Sequence, residues 1–169
     1  MKINKLWILC LLVLCSCGTK NEENIVSRGF ERAEQQLSAQ LKAIPEPTEE
    51  YPRTIKDGKL KTTKKNDWTE GFYPGCLWYV YEHNHNENWK EAAIKWTEAL
   101  EPLKKLTNHH DIGFLMYCSF GNAYRLTGNE TYKDVLVESA RSLCTRFNEK
   151  TGCIESWNYR KAWNGIDEW

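Results

Sequence analysis

The chain has 169 residues, 23 basic and 23 acidic side chains, a formal net charge of zero and eight tryptophans. That balance leaves no basic face for a polyanion, which excludes nucleic acid as the main partner. After the first twenty residues, no apolar run approaches the 18 or so needed to cross a bilayer.

Residues 1–16 carry Lys2 and Lys5, an apolar run from Leu6 to Cys15, and small residues before Cys17. This pattern predicts a secretory leader, too short to span a membrane and not part of the fold. The ending Leu14-Cys15-Ser16-Cys17 has the form of a bacterial lipobox. Cys17 is therefore expected to be the lipidated first residue of an exported body, held at the periplasmic or outer membrane through that lipid alone. Residues 17–22 would be its tether and 23–169 the folded part.

From 23 to 44, Val26, Phe30, Ala33, Leu37, Leu41 and Ile44 recur at steps of 4, 3, 4, 4 and 3. That spacing predicts one helix with one apolar face. Residues 45–66 hold Pro45, Pro47, Pro52 and Asp57-Gly58 among many lysines, and read as an exposed loop. Beyond it the chain repeats itself. Tyr81 aligns with Tyr124, Trp89 with Tyr132 and Lys90 with Lys133, always 43 residues apart. Asn88 with Glu91, and Thr131 with Asp134, read as capping-box starts. Trp89, Ala92, Ala93, Trp96, Leu100 and Leu103 follow at helical spacing, as do Tyr132, Val135, Leu136, Ala140, Leu143 and Phe147.

Each repeat is thus a helical hairpin, and the fold is expected to be all-α. Leu77 to Tyr81 is strand-prone, but no convincing alternating strand competes. Hairpins of this period stack into solenoids or close into toroids. Six of them need roughly 260 residues, so this chain is expected to supply only part of a closed ring. The stretch 153–169, with Trp157, Trp163 and Trp169 and no helical period, agrees with that expectation.

Cys76, Cys118, Cys144 and Cys153 show no Cys-x-x-Cys spacing and are expected to be buried thiols. A Cys144–Cys153 bridge is the one pairing worth testing. His83 and His85 lie in an asparagine-rich turn without a ligand set, so no metal is expected, nor any other cofactor.

His109-His110-Asp111-Ile112-Gly113-Phe114 opens a helix running through Leu115, Met116, Phe120 and Ala123. Asp111 suits a helix N-cap. It equally suits an ionised carboxylate at the mouth of a helical ring, beside an imidazole, and the two roles are compatible. The 43-residue offset pairs Asp111 with Trp68, placing an aromatic face and a carboxylate on one rim, where a sugar ring can be stacked and polarised. Trp157 falls at another hairpin end.

The segments NDWTEGFYPGCLWYVYE (66–82), HHDIGF (109–114) and RFNEKTGCIESWN (146–158) resemble the N-terminal half of unsaturated glucuronyl hydrolases, the family-88 glycoside hydrolases. The resemblance runs from about residue 23 to the last. It implies an (α/α)6 toroid and an enzyme that removes a 4,5-unsaturated uronic acid from the non-reducing end of lyase-generated glycosaminoglycan oligosaccharides. The chemistry it implies is hydration of the enol ether. By resemblance Asp111 is catalytic, with His110 beside it, and Trp68 and Trp157 contact the unsaturated sugar. The family's acid/base, a second aspartate in an Asp-Asn-Met-Met-Asn-like motif, has no counterpart here, and Asp167 does not match it. The chain alone is therefore expected to be an inactive N-terminal part. The competing expectations are a glycan-binding lipoprotein or decayed fragment that catalyses nothing, an unsaturated rhamnogalacturonyl hydrolase, and a bare structural hairpin array.

Overall fold

The computed structural model describes residues 20–48, 50–64, 66–108, 110–156, 160–161 and 167–168. The expected leader at 1–16, the lipidation site Cys17, and the tryptophans 157, 163 and 169 lie outside them. The chain divides into two compact units, 1–38 and 39–169. Helix α1, Lys20–Ala43, begins three residues before the expected start and takes in part of the expected tether. Among the described residues no helix is long and apolar enough to cross a membrane.

The second unit opens with a correction. Residues 45–66 are not simply a loop: β1 (Glu50–Lys56) and β2 (Lys59–Lys64) form an antiparallel hairpin. Asp57 and Gly58 both adopt positive φ, 52° and 69°. A two-residue Asp-Gly loop of this hand matches the twist of paired strands, so the dipeptide that reads as loop chemistry is hairpin chemistry. A bulge between Pro52 and Thr54 accommodates the missing proline N–H. The hairpin is anchored by Tyr51, which is buried and meets Trp96 edge-on at 5.1 Å.

Two helical hairpins follow. The first pairs α2 (Phe72–Asn84) with α3 (Glu87–Glu98), which ends in a 3-10 turn at Glu101–Lys105. The second runs through α4 (Ile112–Met116), a π turn (Tyr117–Gly121) and α5 (Asn122–Thr127), and turns back as α6 (Glu130–Cys144). The 43-residue repeat is faithful at its corners. Tyr81 donates to Glu87 and lies under Lys90, as Tyr124 donates to Glu130 and lies under Lys133. Left-handed residues, His85 and Gly128, end the first helix of each pair. The N-caps fall two residues earlier than expected. Asn86 and Asn129 sit in extended backbone and accept from the amides of Asn88 and Thr131, each at 3.0 Å. An asparagine side chain reaches the second helical amide directly, leaving Asn88 and Thr131 inside the first turn.

The core lies between the hairpins. Trp78, Trp96, Leu77, Ala93, Leu100, Leu115, Met116, Phe120 and Ala123 are all essentially inaccessible. The indole N–H of Trp78 donates to Thr97 at 2.9 Å, so its burial leaves no orphan donor. Arg125 forks onto Glu82, 43 residues earlier, at 2.5 and 2.8 Å, and the Tyr132 hydroxyl donates to Glu98 at 2.9 Å.

Two further expectations change. α6 ends at Cys144 rather than carrying the helical spacing on to Phe147, because Phe147–Asn148 pairs with Cys153–Ile154 across a turn with Gly152 at φ 68°. The four cysteines are unbridged thiols, but they are not buried: Cys76, Cys144 and Cys153 are exposed and Cys118 is half-buried. They lie on helix faces and a strand that neighbouring described elements leave uncovered.

Candidate functional site

The rim of the unit is built by the segment that leads into α2. Asp67 accepts from the amide and hydroxyl of Thr69 at 3.0 and 2.5 Å and from Arg53 at 2.9 Å. Its own N–H donates to the buried carboxylate of Glu70 at 3.3 Å, and the Glu70 N–H returns to the Asp67 carbonyl at 3.1 Å, closing the turn Asp67-Trp68-Thr69-Glu70. Burial works to raise the Asp67 carboxyl, but hydrogen bonds from Thr69 and Thr63 and the charge of Arg53 outweigh it. Together they hold the group below the usual carboxylate range. Trp68 is thereby fixed on a short, doubly hydrogen-bonded turn with its ring outward.

Gly71 then brings α2 against α4. A Cβ at this position would lie 2.3 Å from the Phe114 carbonyl oxygen and 2.5 Å from that of Leu115; one turn later, a Cβ on Gly75 would lie 2.9 Å from the Cys118 oxygen. Two hydrogen-sized residues on one face let the backbones meet. The π turn lies on this seam, and the Ser119 hydroxyl donates to the Leu115 carbonyl at 2.6 Å.

Close approach puts three aromatic rings together. Trp68 meets Phe72 at 5.8 Å and Phe114 at 5.7 Å, and Phe72 meets Phe114 at 5.7 Å. All three remain partly open to solvent, Trp68 at 42%. Phe114 is three residues beyond Asp111 and donates its N–H to the Asp111 carbonyl at 2.9 Å. Trp68 thus meets, through Phe114, the first turn of the helix that Asp111 precedes. Phe72 and Phe114 were not singled out from sequence; both stand in the quoted motifs, one position after a glycine.

Asp111 occupies the N-cap position, yet its side chain makes no cap hydrogen bond to the helix. Its carboxylate stands 3.3 Å from His110 Nε2. His110 Nδ1 lies 2.6 Å from the Ser156 carbonyl oxygen, which also accepts the His110 backbone N–H at 3.1 Å. A carbonyl only accepts, so Nδ1 must be the proton-bearing nitrogen. Nε2 is then the nitrogen turned to Asp111, and the two can bond only with a proton between them. The arrangement is a carboxylate–imidazole pair of fixed tautomer at a partly open rim.

Ser156 is held in turn by the buried Arg146. Trp157, the expected second aromatic contact, follows Ser156 directly and lies outside the described residues. Among the described residues no group of three or more metal-ligating side chains is present. A groove of 830 Å³ runs between α2, α4–α5 and α6, lined by Phe72, Tyr79, Met116, Tyr117, Leu136 and Leu143, and is almost wholly apolar. His110 and Asp111 do not line it. It is the apolar face that an unstacked hairpin is expected to present, with Tyr79, Tyr117 and Val137 exposed.

No family model matches the chain. Among curated relatives, an unsaturated glucuronyl hydrolase of Formosa agariphila is 34% identical over 157 residues, covering 89% of this chain and 39% of the relative. The unsaturated chondroitin disaccharide hydrolase of Streptococcus agalactiae is 33% identical over 138 residues, covering 78% of this chain and 33% of the relative. A crystal structure of an unsaturated glucuronyl hydrolase specific for heparin superposes with a TM-score of 0.72 at 38% identity, covering 79% of this chain and 36% of the other. The chain belongs to the unsaturated glucuronyl hydrolase family. Its two hairpins are part of that family's (α/α)6 toroid, and it spans between a third and two fifths of the length of these relatives. A variant of the Streptococcus agalactiae enzyme, with aspartate replaced by asparagine, has been crystallised with dGlcA-GalNAc6S; it superposes with a TM-score of 0.63 at 30% identity over 72% of this chain and 33% of that one.

Proposed function

We propose that the rim bearing Trp68, His110 and Asp111 is part of a site that binds a 4,5-unsaturated uronic acid at the non-reducing end of a glycosaminoglycan oligosaccharide, for hydrolytic release of that sugar. The observation that carries this reading is the His110–Asp111 pair, whose carboxylate is released from helix capping and turned to an imidazole beside three open aromatic rings. The sugar's C4=C5 double bond flattens its ring, and a flat ring stacks on an indole or phenyl face.

The reaction adds a proton to C4 of the enol ether and the oxygen of water to C5, with the water's second proton going to a base. The hemiketal so formed opens and the glycosidic oxygen leaves with the remaining sugar. Positive charge develops at C5 and the ring oxygen during the first step. A carboxylate fixed at the rim, as Asp111 is, stabilises that charge without having to reorganise. His110, with Nδ1 on the Ser156 carbonyl and Nε2 on Asp111, orients the carboxylate, while Trp68 and Trp157 hold the ring. Protonating carbon needs a second, protonated carboxylic acid. The Asp-Asn-Met-Met-Asn-like motif that would supply it does not occur in the 169 residues. The chain on its own is therefore expected to bind the unsaturated sugar without consuming it. Export and attachment through a lipid on Cys17 belong to the same proposal.

Two optical measurements on one sample test this. Unsaturated chondroitin disaccharide should quench tryptophan fluorescence of the wild-type chain, and do so only at higher sugar concentration in Trp68→Ala, while the ultraviolet absorbance of the conjugated uronate stays constant. Loss of that absorbance would contradict the division of labour. Absence of quenching would remove the site.

A further inference from the structure

We propose that Arg146 is a positioning residue for the His110–Asp111 pair, acting through the main-chain carbonyl of Ser156. The inference rests on reading that pair as part of the uronate site. The Arg146 side chain is only 4% exposed. Its guanidinium is spent on main-chain carbonyls: Nη1 donates to Thr107 at 2.7 Å, Nε to Glu155 at 2.9 Å and Nη2 to Ser156 at 3.3 Å. The Glu155 carboxylate stands 3.9 Å away, and the Glu155 N–H returns to the Arg146 carbonyl at 2.9 Å. One planar fork thus ties the end of α6, the loop before His110 and the strand that leads to Ser156.

The Ser156 carbonyl is the pivot. It receives Arg146 Nη2, the His110 N–H and His110 Nδ1. A carbonyl free to swing by a peptide rotation would release the imidazole, and with it the tautomer that turns Nε2 to Asp111. Arg146 removes that freedom from the buried side, and it also sets the backbone immediately before Trp157. Lysine cannot substitute, because a single ammonium carries the charge but not the rigid fork that reaches three carbonyls. Arg146 opens and Ser156 nearly closes the motif RFNEKTGCIESWN, so the two ends of that motif are joined by these bonds.

The test uses the 169-residue chain labelled with 15N-histidine, the His110 signals being assigned by their loss in His110→Ala. In wild type, Nδ1 of His110 should carry the proton; in Arg146→Lys, with helix content unchanged by circular dichroism, that tautomer signature should be lost. Affinity for unsaturated chondroitin disaccharide should fall about tenfold, and the same substitution in a His110→Ala background should cost nothing further. An unchanged His110 signature in the folded variant, or a loss of affinity that simply adds to that of His110→Ala, would overturn the proposal. Should Arg146→Lys fail to fold, wild type labelled with 15N-arginine as well decides: a solvent-protected Arg146 Nη–H together with His110 protonated at Nδ1 supports the relay, and His110 protonated at Nε2 alone overturns it. Because these signals need no sugar, a wild-type chain that shows them but does not bind the disaccharide would reject the functional reading and leave the relay standing.

Discussion

Replacing Gly71 with alanine tests whether the rim depends on the close approach of α2 and α4. A carbon–oxygen contact is ordinarily no shorter than about 3.3 Å, whereas the new Cβ would sit 2.3 Å from the Phe114 oxygen and 2.5 Å from that of Leu115. Both obstacles are backbone, so the helices must separate by about 1 Å rather than let a side chain swing aside. Overpacking of this kind costs about 1–3 kcal/mol, and Gly71 gives no relief through its dihedrals, which are ordinary right-handed values of −64° and −20°. Urea unfolding followed by circular dichroism should show a loss of about 2 kcal/mol, and the separation of Trp68 from Phe114 should weaken disaccharide binding. Gly113→Ala is the internal control. It lies in α4 with nothing within 4 Å of its would-be Cβ, so the same change should stabilise by about 0.5–1 kcal/mol. Equal effects at the two glycines would refute the packing argument.

Three further outcomes follow from the same geometry. Asn86→Ala and Asn129→Ala should each cost about 1 kcal/mol in urea unfolding, and serine at either site should restore most of it. Burial first, and then the bond to Glu98, push the Tyr132 hydroxyl up to about 12. Its neutral form is thus favoured by folding, and the stabilisation is present at neutral pH. It should be lost as pH rises past the ordinary tyrosine range towards 12, a slope that Tyr132→Phe should flatten in pH-dependent melting. Trp68→Ala should weaken binding of unsaturated chondroitin disaccharide about tenfold, roughly 1.4 kcal/mol. Its effect on stability should be small, because Trp68 is already 42% exposed.

What the sequence disclosed follows physical rules with short reach. Trp96, Leu115, Phe120 and Ala123 are buried where a 3.6-residue period puts them. The 43-residue offset located both hairpins because equivalent corners use equivalent residues, down to Lys90 and Lys133 over their tyrosines. Asp57-Gly58 was legible as loop chemistry but not as a hairpin, since lysine-rich strands hide the alternation that marks one, and among the described side chains of the two strands Tyr51 and Thr63 are the buried ones. The caps slipped by two residues because Asn86 and Asn88, like Asn129 and Thr131, are both competent cap residues, and only backbone geometry separates them. The rim itself was half legible. Trp68 and Asp111 were read from their motifs and the 43-residue offset, whereas Gly71 and Phe72 meet Phe114 across more than 40 residues and Arg146 reaches Thr107 across 39, contacts for which a single sequence carries no local signal.

The most direct measurement is a pair of fluorescence titrations of the wild-type chain, one with unsaturated chondroitin disaccharide and one with its saturated counterpart. If the rim recognises the flattened uronate, the unsaturated sugar should quench tryptophan emission and bind at least about tenfold more tightly than the saturated one. Equal affinity for the two sugars, or quenching by neither, would contradict the assignment of Trp68, His110 and Asp111 to an unsaturated-uronate site.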